Sequence, residues 1–356
     1  MSCFIQLHYL TIYPPSNPNR DDLGRPKSAS FGNHPRLRIS SQAIKRAARI
    51  SEVMQTALTG HLGERTQRIG DTIRAALLEK GATEEQAQDL AKQLTDVFGK
   101  LDVEAEKKGH LRTRQLVFIS PEEKAMALEL AEKALAGEEM PKDKELKKAV
   151  LRTADGAADV AMFGRMLADD PDFNREAAVQ VSHPLTTHRA LVEDDFYTAV
   201  DDLKTTAEDA GAGFVGEAGF GSGVYYTYAC IDVGLLIENL AGDRNLAARS
   251  AEALAEALAV ATPSGKRNSF AHQGRASFVR AEVGTQQPRS LAGAFFAPVS
   301  SDDLLGGSIV ALTDMASRLD AAYGVCADAV VQMDVSSGKG SLAEVRSFVR
   351  DGITNG

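Results

Sequence analysis

The sequence predicts an α+β fold in which a sheet is interrupted by one large helical insertion and one glycine-rich excursion. Three observations predict it. Residues 3–13 alternate between apolar and polar types and favour strands. Residues from about 57 to 175 carry helical spacing and helix-start signals. Strand-like segments then return at 176–190 and 224–240. The length of 356 residues suits two domains, or one domain with large insertions.

The first strand is followed by a long loop and a helix. Pro14 and Pro15 are expected to end the strand, because proline cannot donate to a sheet ladder. Residues 16–39 are rich in Asn, Asp, Gly, Pro and Ser, which predicts an ordered or ligand-gripping loop. Ser40 or Ser41 then stands where a helix N-cap is expected.

The helical insertion has well-marked helix starts. Thr83 with Gln86 predicts a capping box, and Ser120 with Glu123 predicts another. A further helix is expected after Pro141, and it carries four lysines: Lys142, Lys144, Lys147 and Lys148. Such a cluster is either a solvated helix face or a contact for nucleic acid.

The second half of the sequence contains the remaining predicted strands. Residues 176–190 form an edge or irregular strand because of Pro184. Gly211 to Gly223 predicts a flexible or tightly turned projection. Later strand-like patches lie at 277–283, 293–297 and 325–333, with helices near 302–322 and 341–351. Before them, a clear helix carries on one side Leu246, Ala247, Leu254, Ala257 and Leu258. Without the insertions, the order is βαββαβ, which is the ferredoxin-like plan of RNA-recognition motifs.

Bulk composition narrows the class of protein. Three widely spaced cysteines fit a reducing compartment better than a disulfide scaffold. No secretory signal is recognisable, and no apolar run approaches the length of a membrane span. We therefore expect a cytoplasmic protein without a membrane partner.

A basic segment stands out against a formal net charge of −9. Between Leu23 and Ser51 the chain has no acidic residue and seven basic ones: Arg25, Lys27, Arg36, Arg38, Lys45, Arg46 and Arg49. A local positive surface on an acidic protein indicates an anionic partner, and a polyphosphate backbone is the first candidate. The alternative is a solvated basic loop and helix without a ligand.

The predicted helix after Ser40 concentrates this charge on one side. Gln42, Lys45, Arg46 and Arg49 stand at i, i+3, i+4 and i+7 and are expected to share a face. Neighbouring cations repel each other mildly in a bare helix, and a bridging anion would offset that repulsion.

Two glycine motifs do not support a nucleotide-dependent enzyme. Gly211 to Gly216 matches G-x-G-x-x-G, but polar residues precede it and further glycines follow, so the required strand and helix are missing. The loop from Pro263 to Arg267 resembles half of a P-loop, but Val260 and Arg267 occupy positions that need glycine and a hydroxyl residue. Lys266 and Arg267 still suit a phosphate.

The sequence does not favour catalysis or a cofactor. The seven histidines are dispersed, so a shared metal site is not expected, and no nucleophile elbow occurs. In contrast, apolar residues stand out in the acidic and glycine-rich excursion: Phe196, Tyr197, Phe214, Val215 and Phe220. They form either a small local cluster or a wedge that stacks against bases or a neighbouring subunit.

Five segments together resemble the CasC family, the backbone subunits of type I-E CRISPR Cascade complexes in the RAMP superfamily. They are the block YPPSNPNRDDLGRPKSASFGNHPRLRISSQAIKRAAR from residue 13, then FGRML, DFYTAVDDL, FGSGVYYTYA and PSGKRNSF. They span the chain in the order of the family. Ala48 departs from the family, which often has tryptophan there, and the excursion has more glycine than expected.

The resemblance implies a hand-like architecture and an assembly. The palm would be residues 1–56, 177–191 and 223–356, the helical fingers 57–176 and the thumb 192–222. The implied function is a non-catalytic scaffold, of which several copies stack head to tail along one CRISPR RNA beside other Cascade subunits and present the guide to target DNA.

The resemblance also implies roles for single residues. The RNA backbone would be gripped by Arg20, Lys27, Ser40, Gln42, Lys45, Arg46 and Arg49. Met166, Tyr197 and Val215, or Phe214 beside it, would wedge around kinked nucleotides. The lysines from Lys142 to Lys148 resemble a helix that guides target DNA. Two alternatives remain: an RNA-processing nuclease of similar fold, and a nucleotide-dependent enzyme that uses the glycine-rich segment.

Overall fold

A computed structural model describes residues 3–167, 170–199 and 214–355. Its strands are β1 (Phe4–Ser16), β2 (Ser28–Phe31), β3 (His34–Leu37), β4 (Glu64–Thr66), β5 (Val117–Ile119), β6 (Val179–Val181), β7 (Leu185–Thr186), β8 (Glu193–Ala199), β9 (Phe214–Asp232), β10 (Ala276–Gly284) and β11 (Ala329–Asp334). Its helices are α1 (Ser41–Arg49), α2 (Glu52–Ala57), α3 (Ile69–Glu79), α4 (Glu84–Phe98), α5 (Val103–Glu106), α6 (Pro121–Leu135), α7 (Asp143–Val150), α8 (Ala158–Phe163), α9 (Val233–Asn239), α10 (Arg244–Val260), α11 (Arg267–Phe270), α12 (Leu304–Tyr323) and α13 (Leu342–Thr354).

The main sheet is antiparallel, with the strand order β11-β10-β1-β9-β6. The short β7 and the outlying β8 also pair with β9. The central β1 places His8 opposite Tyr228 on one side and opposite Arg280 on the other. The chain is therefore a mixed α and β protein, as its alternating patterns predict.

The two faces of the sheet are covered by different helices. Alternate residues of β1, such as Ile5, Leu7 and Tyr9, are buried in the same core as α10 and α13. The alanines of α10 are small enough for close packing, and Tyr9 Oη donates to the carbonyl of Ala255 at 3.0 Å. The opposite face, with Leu10, Tyr226 and Tyr228, is covered by α12 and a 3₁₀ turn at Ala292–Phe295.

Helices α3, α4, α6 and α7 have a second core of their own. Ile73, Leu94, Ala127 and Val150 are among its fully buried residues. Both capping boxes predicted there are confirmed: Ser120 with Glu123, and Thr83 with Gln86. A buried ion pair between Arg175 and Asp155 (2.7 Å) fixes the chain where the insertion returns to the sheet.

Five expectations about local structure are wrong. The expected strand at 224–240 ends at Asp232, and the residues after it form α9. β1 does not end at the two prolines but continues to Ser16, and its pairing register shifts at that point, so neither proline has to donate to the ladder. The expected loop contains the hairpin β2–β3, which turns at Gly32 and Asn33, both with positive φ. The expected strand at 293–297 is instead mostly the 3₁₀ turn that buries Phe295.

The fifth error concerns the glycine-rich segment. Residues 214–223 are not a flexible turn but the first half of the long strand β9. A Cβ on Gly219 would lie 3.1 Å from Pro26, and a Cβ on Gly221 would lie 2.4 Å from Leu37. The glycines therefore allow the loop after β1 to lie directly on β9. Gly211 falls outside the described residues.

Within the described ranges, no helix is long and apolar enough to cross a membrane.

Candidate nucleic-acid interface

The start of α1 is fixed by the loop that precedes it. Ser40 is the N-cap, and its Oγ accepts a hydrogen bond from the backbone N–H of Ala43 at 3.2 Å. The N–H of Ser40 in turn donates to Oδ1 of Asn19 at 2.8 Å. Ser40, predicted to contact RNA, is thus a buried helix cap.

A group of basic residues surrounds this helix start. Nη1 of Arg38 lies 2.9 Å from Nδ1 of His183, and the N–H of Ser41 lies 3.3 Å from the same nitrogen. Burial, Arg38 and Lys27 all lower the pKa of His183, in that order. The positive end of α1 therefore lies beside two cations and a neutral imidazole, an arrangement that attracts anions.

The basic residues of α1 divide between two sides of the helix. Ile44 and Ala48 are buried, and the predicted polar positions Gln42 and Arg46 are exposed. Arg46 lines a groove towards α10, whereas Lys45 and Arg49 point towards the helical insertion. The expectation of one shared face is therefore only partly correct.

The groove on the Arg46 side has a volume of about 1030 Å³. It joins the loop after β1, α1, the end of α10 and the loop 261–267. Four guanidinium groups line it, from Arg20, Arg46, Arg267 and Arg275, together with carboxylates that include Asp21, Asp22, Glu52 and Glu256. Three of these arginines were predicted from sequence, and the structure brings them to one groove.

The loop 261–267 reaches this groove because of Gly265. A Cβ at that position would lie 2.4 Å from the carbonyl oxygen of Pro18, so only glycine allows this approach. Lys266 is exposed and has a left-handed backbone (φ 52°). Arg267 donates through Nη2 to the carbonyl of Thr262, which fixes its guanidinium at the groove wall.

On the other side of α1, three cations lie against aromatic rings. We call Lys45, Arg49 and Arg65 the cation cluster. The Cζ atoms of Arg49 and Arg65 both lie 5.0 Å from the centre of the Phe118 ring. Nζ of Lys45 lies 5.6 Å from the ring of Phe163, and burial and Arg65 lower its pKa.

Arg65 was missed by sequence reasoning. It lies on β4, which pairs with β5 and so holds Arg65 and Phe118 opposite each other. The only sequence signal was a basic residue on a short strand in the insertion. An anion lies beside the cation cluster: Oδ2 of Asp159 is 3.7 Å from Nη1 of Arg49.

The predicted wedge residues lie on separate surfaces. Met166 is 81% exposed. In the register of β8 and β9, Tyr197 pairs with Gly216, and Thr198 pairs with Val215. Tyr197 and Val215 therefore lie on opposite faces of the β8–β9 ribbon, and Phe196 shares the face of Val215. The side chain of Phe214 lies outside the described part of the chain.

The lysines of α7 have different surroundings. Lys142, Lys144 and Lys148 are exposed, and Lys142 is the N-cap residue. Lys147 is partly buried, and its Nζ lies 2.7 Å from Oδ2 of Asp170. That ion pair reduces the charge that Lys147 presents to a ligand.

Two residues considered for the alternative chemistries, His8 and Gly216, are not placed as those chemistries require. His8 is fully buried, with Nδ1 2.9 Å from the hydroxyl of Tyr226 and Nε2 3.9 Å from Glu282, so it cannot reach a ligand outside. Gly216 lies within β9 and does not open a helix. Among the described residues, no three His, Cys, Asp or Glu side chains are grouped as a metal site requires.

Sequence and structure comparisons agree on the class of protein to which this fold belongs. The model of the CT1975-like protein family matches residues 5–348, so the chain belongs to that family. No curated protein matches the chain in sequence.

Two solved structures are similar over nearly the whole chain. One is a chain of a CRISPR RNA-guided surveillance complex in a pre-nicking state, with 29% identity and a TM-score of 0.83 over 98% of this chain and 100% of that one. The other is from a CRISPR RNA-guided surveillance complex, with 25% identity and a TM-score of 0.72 over 97% and 99% of the two chains. The resemblance to Cascade subunits drawn from the sequence is confirmed.

Proposed function

We propose that this chain is a CRISPR RNA-binding backbone subunit of a type I-E Cascade complex. The observation that carries the proposal is the concentration of basic groups around α1: the groove with Arg20, Arg46, Arg267 and Arg275, the helix start with Lys27 and Arg38, and the cation cluster. Similarity to surveillance-complex chains over at least 97% of this chain supports the same assignment.

The interface is suited to the backbone of RNA rather than to its bases. Guanidinium and ammonium groups bind phosphates without reading sequence, as a guide with a variable spacer requires. Sequence would then be read by base pairing with the target. The proposed contacts are Arg20, Lys27, Gln42, Lys45, Arg46, Arg49, Lys266 and Arg267, with Ser40 as the cap that orients α1.

We propose that the sheet is a ferredoxin-like palm. The order β10-β1-β9-β6 has the first and third strands of the βαββαβ plan at its centre, with the last and second strands on either side. In a free RNA-recognition motif, the aromatic face of this sheet stacks on bases. Here α12 covers that face and buries Tyr226 and Tyr228, so RNA would bind at α1 instead.

The palm would comprise residues 1–56, 177–191 and 223–356. The fingers would be 57–176, in agreement with the separate core of the insertion, and the thumb 192–222, with the β8–β9 ribbon as its base. Met166, Tyr197 and Val215 or Phe214 would contact nucleotides between adjacent copies. Exposed apolar residues on a projecting ribbon support a contact with RNA or a second copy.

The proposed partners are CRISPR RNA, further copies of the chain in a head-to-tail filament, other Cascade subunits and target DNA. Head-to-tail contacts need not close into a ring, so they allow assembly along an RNA. Lys142, Lys144 and Lys148 are the exposed lysines that we propose for DNA, with Lys147 held by Asp170. We place the protein in the cytoplasm.

The scaffold is proposed to be non-catalytic. A nuclease would need a general base within reach of the RNA, and the buried His8 does not provide one. Cleavage of repeat RNA by the purified chain would favour the nuclease. Thermal stabilisation by NAD or ATP would favour a nucleotide-dependent enzyme.

The salt dependence of RNA binding tests the proposal. Lys45→Ala with Arg49→Ala should weaken binding to RNAs of unrelated sequence equally. The double substitution should also flatten the slope of log K against log salt by roughly one to two units, because two phosphate contacts are lost. The control is Lys92→Ala with Lys133→Ala, which removes two lysines paired on the surface of the insertion. An unchanged slope in the first variant would contradict the proposed interface.

A further inference from the structure

Arg49 and Asp159 form an incomplete ion pair inside the cation cluster. Nη1 of Arg49 and Oδ2 of Asp159 are 3.7 Å apart, which is too long for a hydrogen bond. Both atoms are buried, and neither has a hydrogen-bond partner. The Asp159 side chain is 1% exposed and that of Arg49 is 14% exposed. Two buried charged atoms are thus close enough to attract each other but not bonded.

The two side chains are held differently. Oδ1 of Asp159 accepts from the N–H of Gly63 at 2.7 Å and from the N–H of Val160 at 3.0 Å. These bonds fix the carboxylate at the start of α8. Arg49 is held on the ring of Phe118 and by the charge of Asp159. The guanidinium is therefore the partner that can move.

The surrounding charges favour such a movement. Arg65 and Arg46 both act on Arg49 as like charges, and burial lowers its pKa most of all. Without an anion, three cations around Phe118 and Phe163 would repel each other, and Asp159 compensates part of that repulsion. A phosphate at the open side would compensate more of it, because it can accept full hydrogen bonds.

We propose that Asp159 is an internal counter-ion of Arg49 that an RNA phosphate displaces. This inference rests on the proposed function of the interface. In the free chain, Asp159 holds the guanidinium near its binding position. When RNA binds, Arg49 turns to the phosphate and leaves the carboxyl group buried without its cation.

The exchange predicts that RNA binding takes up a proton. Burial raises the pKa of Asp159 to about 6, against the opposing effects of the Gly63 N–H and Arg49. Loss of Arg49 raises that pKa further, since a buried carboxylate without a cation is costly. A group with a higher pKa in the complex strengthens binding at low pH, so affinity should fall as the pH rises above about 6. Two imidazoles lie near the interface and must be separated from the carboxylate in the test: His61 beside Gly156, and His183 at the helix start.

Asp159→Asn isolates the contribution of the carboxylate from that of the histidines. Asparagine keeps an oxygen for the Gly63 and Val160 N–H groups but does not attract Arg49. At pH 8 the variant should bind a fluorescein-labelled single-stranded RNA about three- to tenfold more tightly than the wild type, the range expected for up to one pKa unit. Its affinity should also lose part of the pH dependence, which for one proton is at most about tenfold per pH unit. Glu106→Gln, which removes a carboxylate paired with Lys92, is the control for net charge.

The outcomes separate this inference from the proposed function. A wild-type chain that does not bind RNA at any salt concentration would overturn both. A wild type that binds while Asp159→Asn binds no more tightly, with the same pH dependence, would overturn the exchange alone. If Asp159→Asn does not fold, Arg49→Gln tests the same exchange, because it should bind more weakly but with a flatter pH dependence than the wild type. An equal pH dependence in that variant and the wild type would reject the exchange.

Discussion

Arg38 and His183 share a short contact: Nη1 of Arg38 lies 2.9 Å from Nδ1 of His183. A guanidinium can only donate, so Nδ1 must accept and carries no proton. The Ser41 N–H approaches the same nitrogen at 3.3 Å. A neutral histidine therefore links the basic loop to the start of α1.

This contact predicts the titration of His183. Arg38→Ala should raise the pKa of His183 towards its ordinary value, because the second-largest cause of its lowering is removed while burial remains. Lys27→Ala should have a smaller effect. Because the pKa of His183 is lowered in the folded state, its neutral imidazole stabilises the fold fully above about pH 6.5. This stabilisation is lost as the pH falls below that value. NMR titration of the histidine ring measures this, and an unchanged pKa in Arg38→Ala would contradict it.

Arg36 should behave as a structural residue rather than an RNA contact. Its fully buried guanidinium donates to the carbonyls of Thr186 (3.1 Å) and Phe295 (2.8 Å). Arg36→Ala leaves both carbonyls without their donor, so the free energy of unfolding should fall by roughly 2 to 4 kcal/mol in urea denaturation. The salt slope of RNA binding by the folded variant should stay as in the wild type. A flatter slope would mean that Arg36 contacts phosphate.

Gly265 should control RNA affinity through the shape of the groove. In Gly265→Ala the new Cβ would meet the Pro18 carbonyl at 2.4 Å and force the loop 261–267 away from Arg20. We expect RNA affinity to fall by about tenfold, as for one lost charge-assisted contact. Gly293→Ala is the matched control, since its Cβ would meet the side chain of Met315 at an ordinary 3.6 Å. Equal RNA affinities for the two variants would exclude a role for this close approach.

The two faces of the β8–β9 ribbon should act differently in assembly. Phe196 and Val215 share one face and are 69% and 52% exposed, whereas Tyr197 lies on the other. Phe196→Ala with Val215→Ala should disturb RNA spacing if that face is the wedge, and Tyr197→Ala should do so if the opposite face is. Nuclease protection of assembled complexes measures the spacing. Normal protection in all these variants would reject the wedge on either face.

Local signals in the sequence predicted much of the fold. Capping boxes at Thr83 and Ser120 and the N-cap at Ser40 follow from hydrogen bonds made within a few residues, so they can be read from sequence. The extended form of residues 214–223 depends on contacts of Gly219 and Gly221 with Pro26 and Leu37, which are distant in sequence. Composition alone suggested flexibility there.

The sequence predicted which segment carries the basic residues of the site, but not where each side chain lies. The charge of the segment from Leu23 to Ser51 identified the basic surface, yet it could not separate the buried Arg36 from the exposed Arg46. Arg65 joins the surface only because β4 pairs with β5, and Asp159 only because α8 begins beside Gly63. Such long-range placements require the folded chain.

Purification of the chain with a CRISPR RNA and neighbouring Cascade subunits is the decisive test of the proposed backbone function. We expect RNA of one defined length, protected at regular intervals by several copies of this chain. A preparation without nucleic acid, together with no RNA affinity at physiological salt, would contradict it and leave the basic surface as a solvated face.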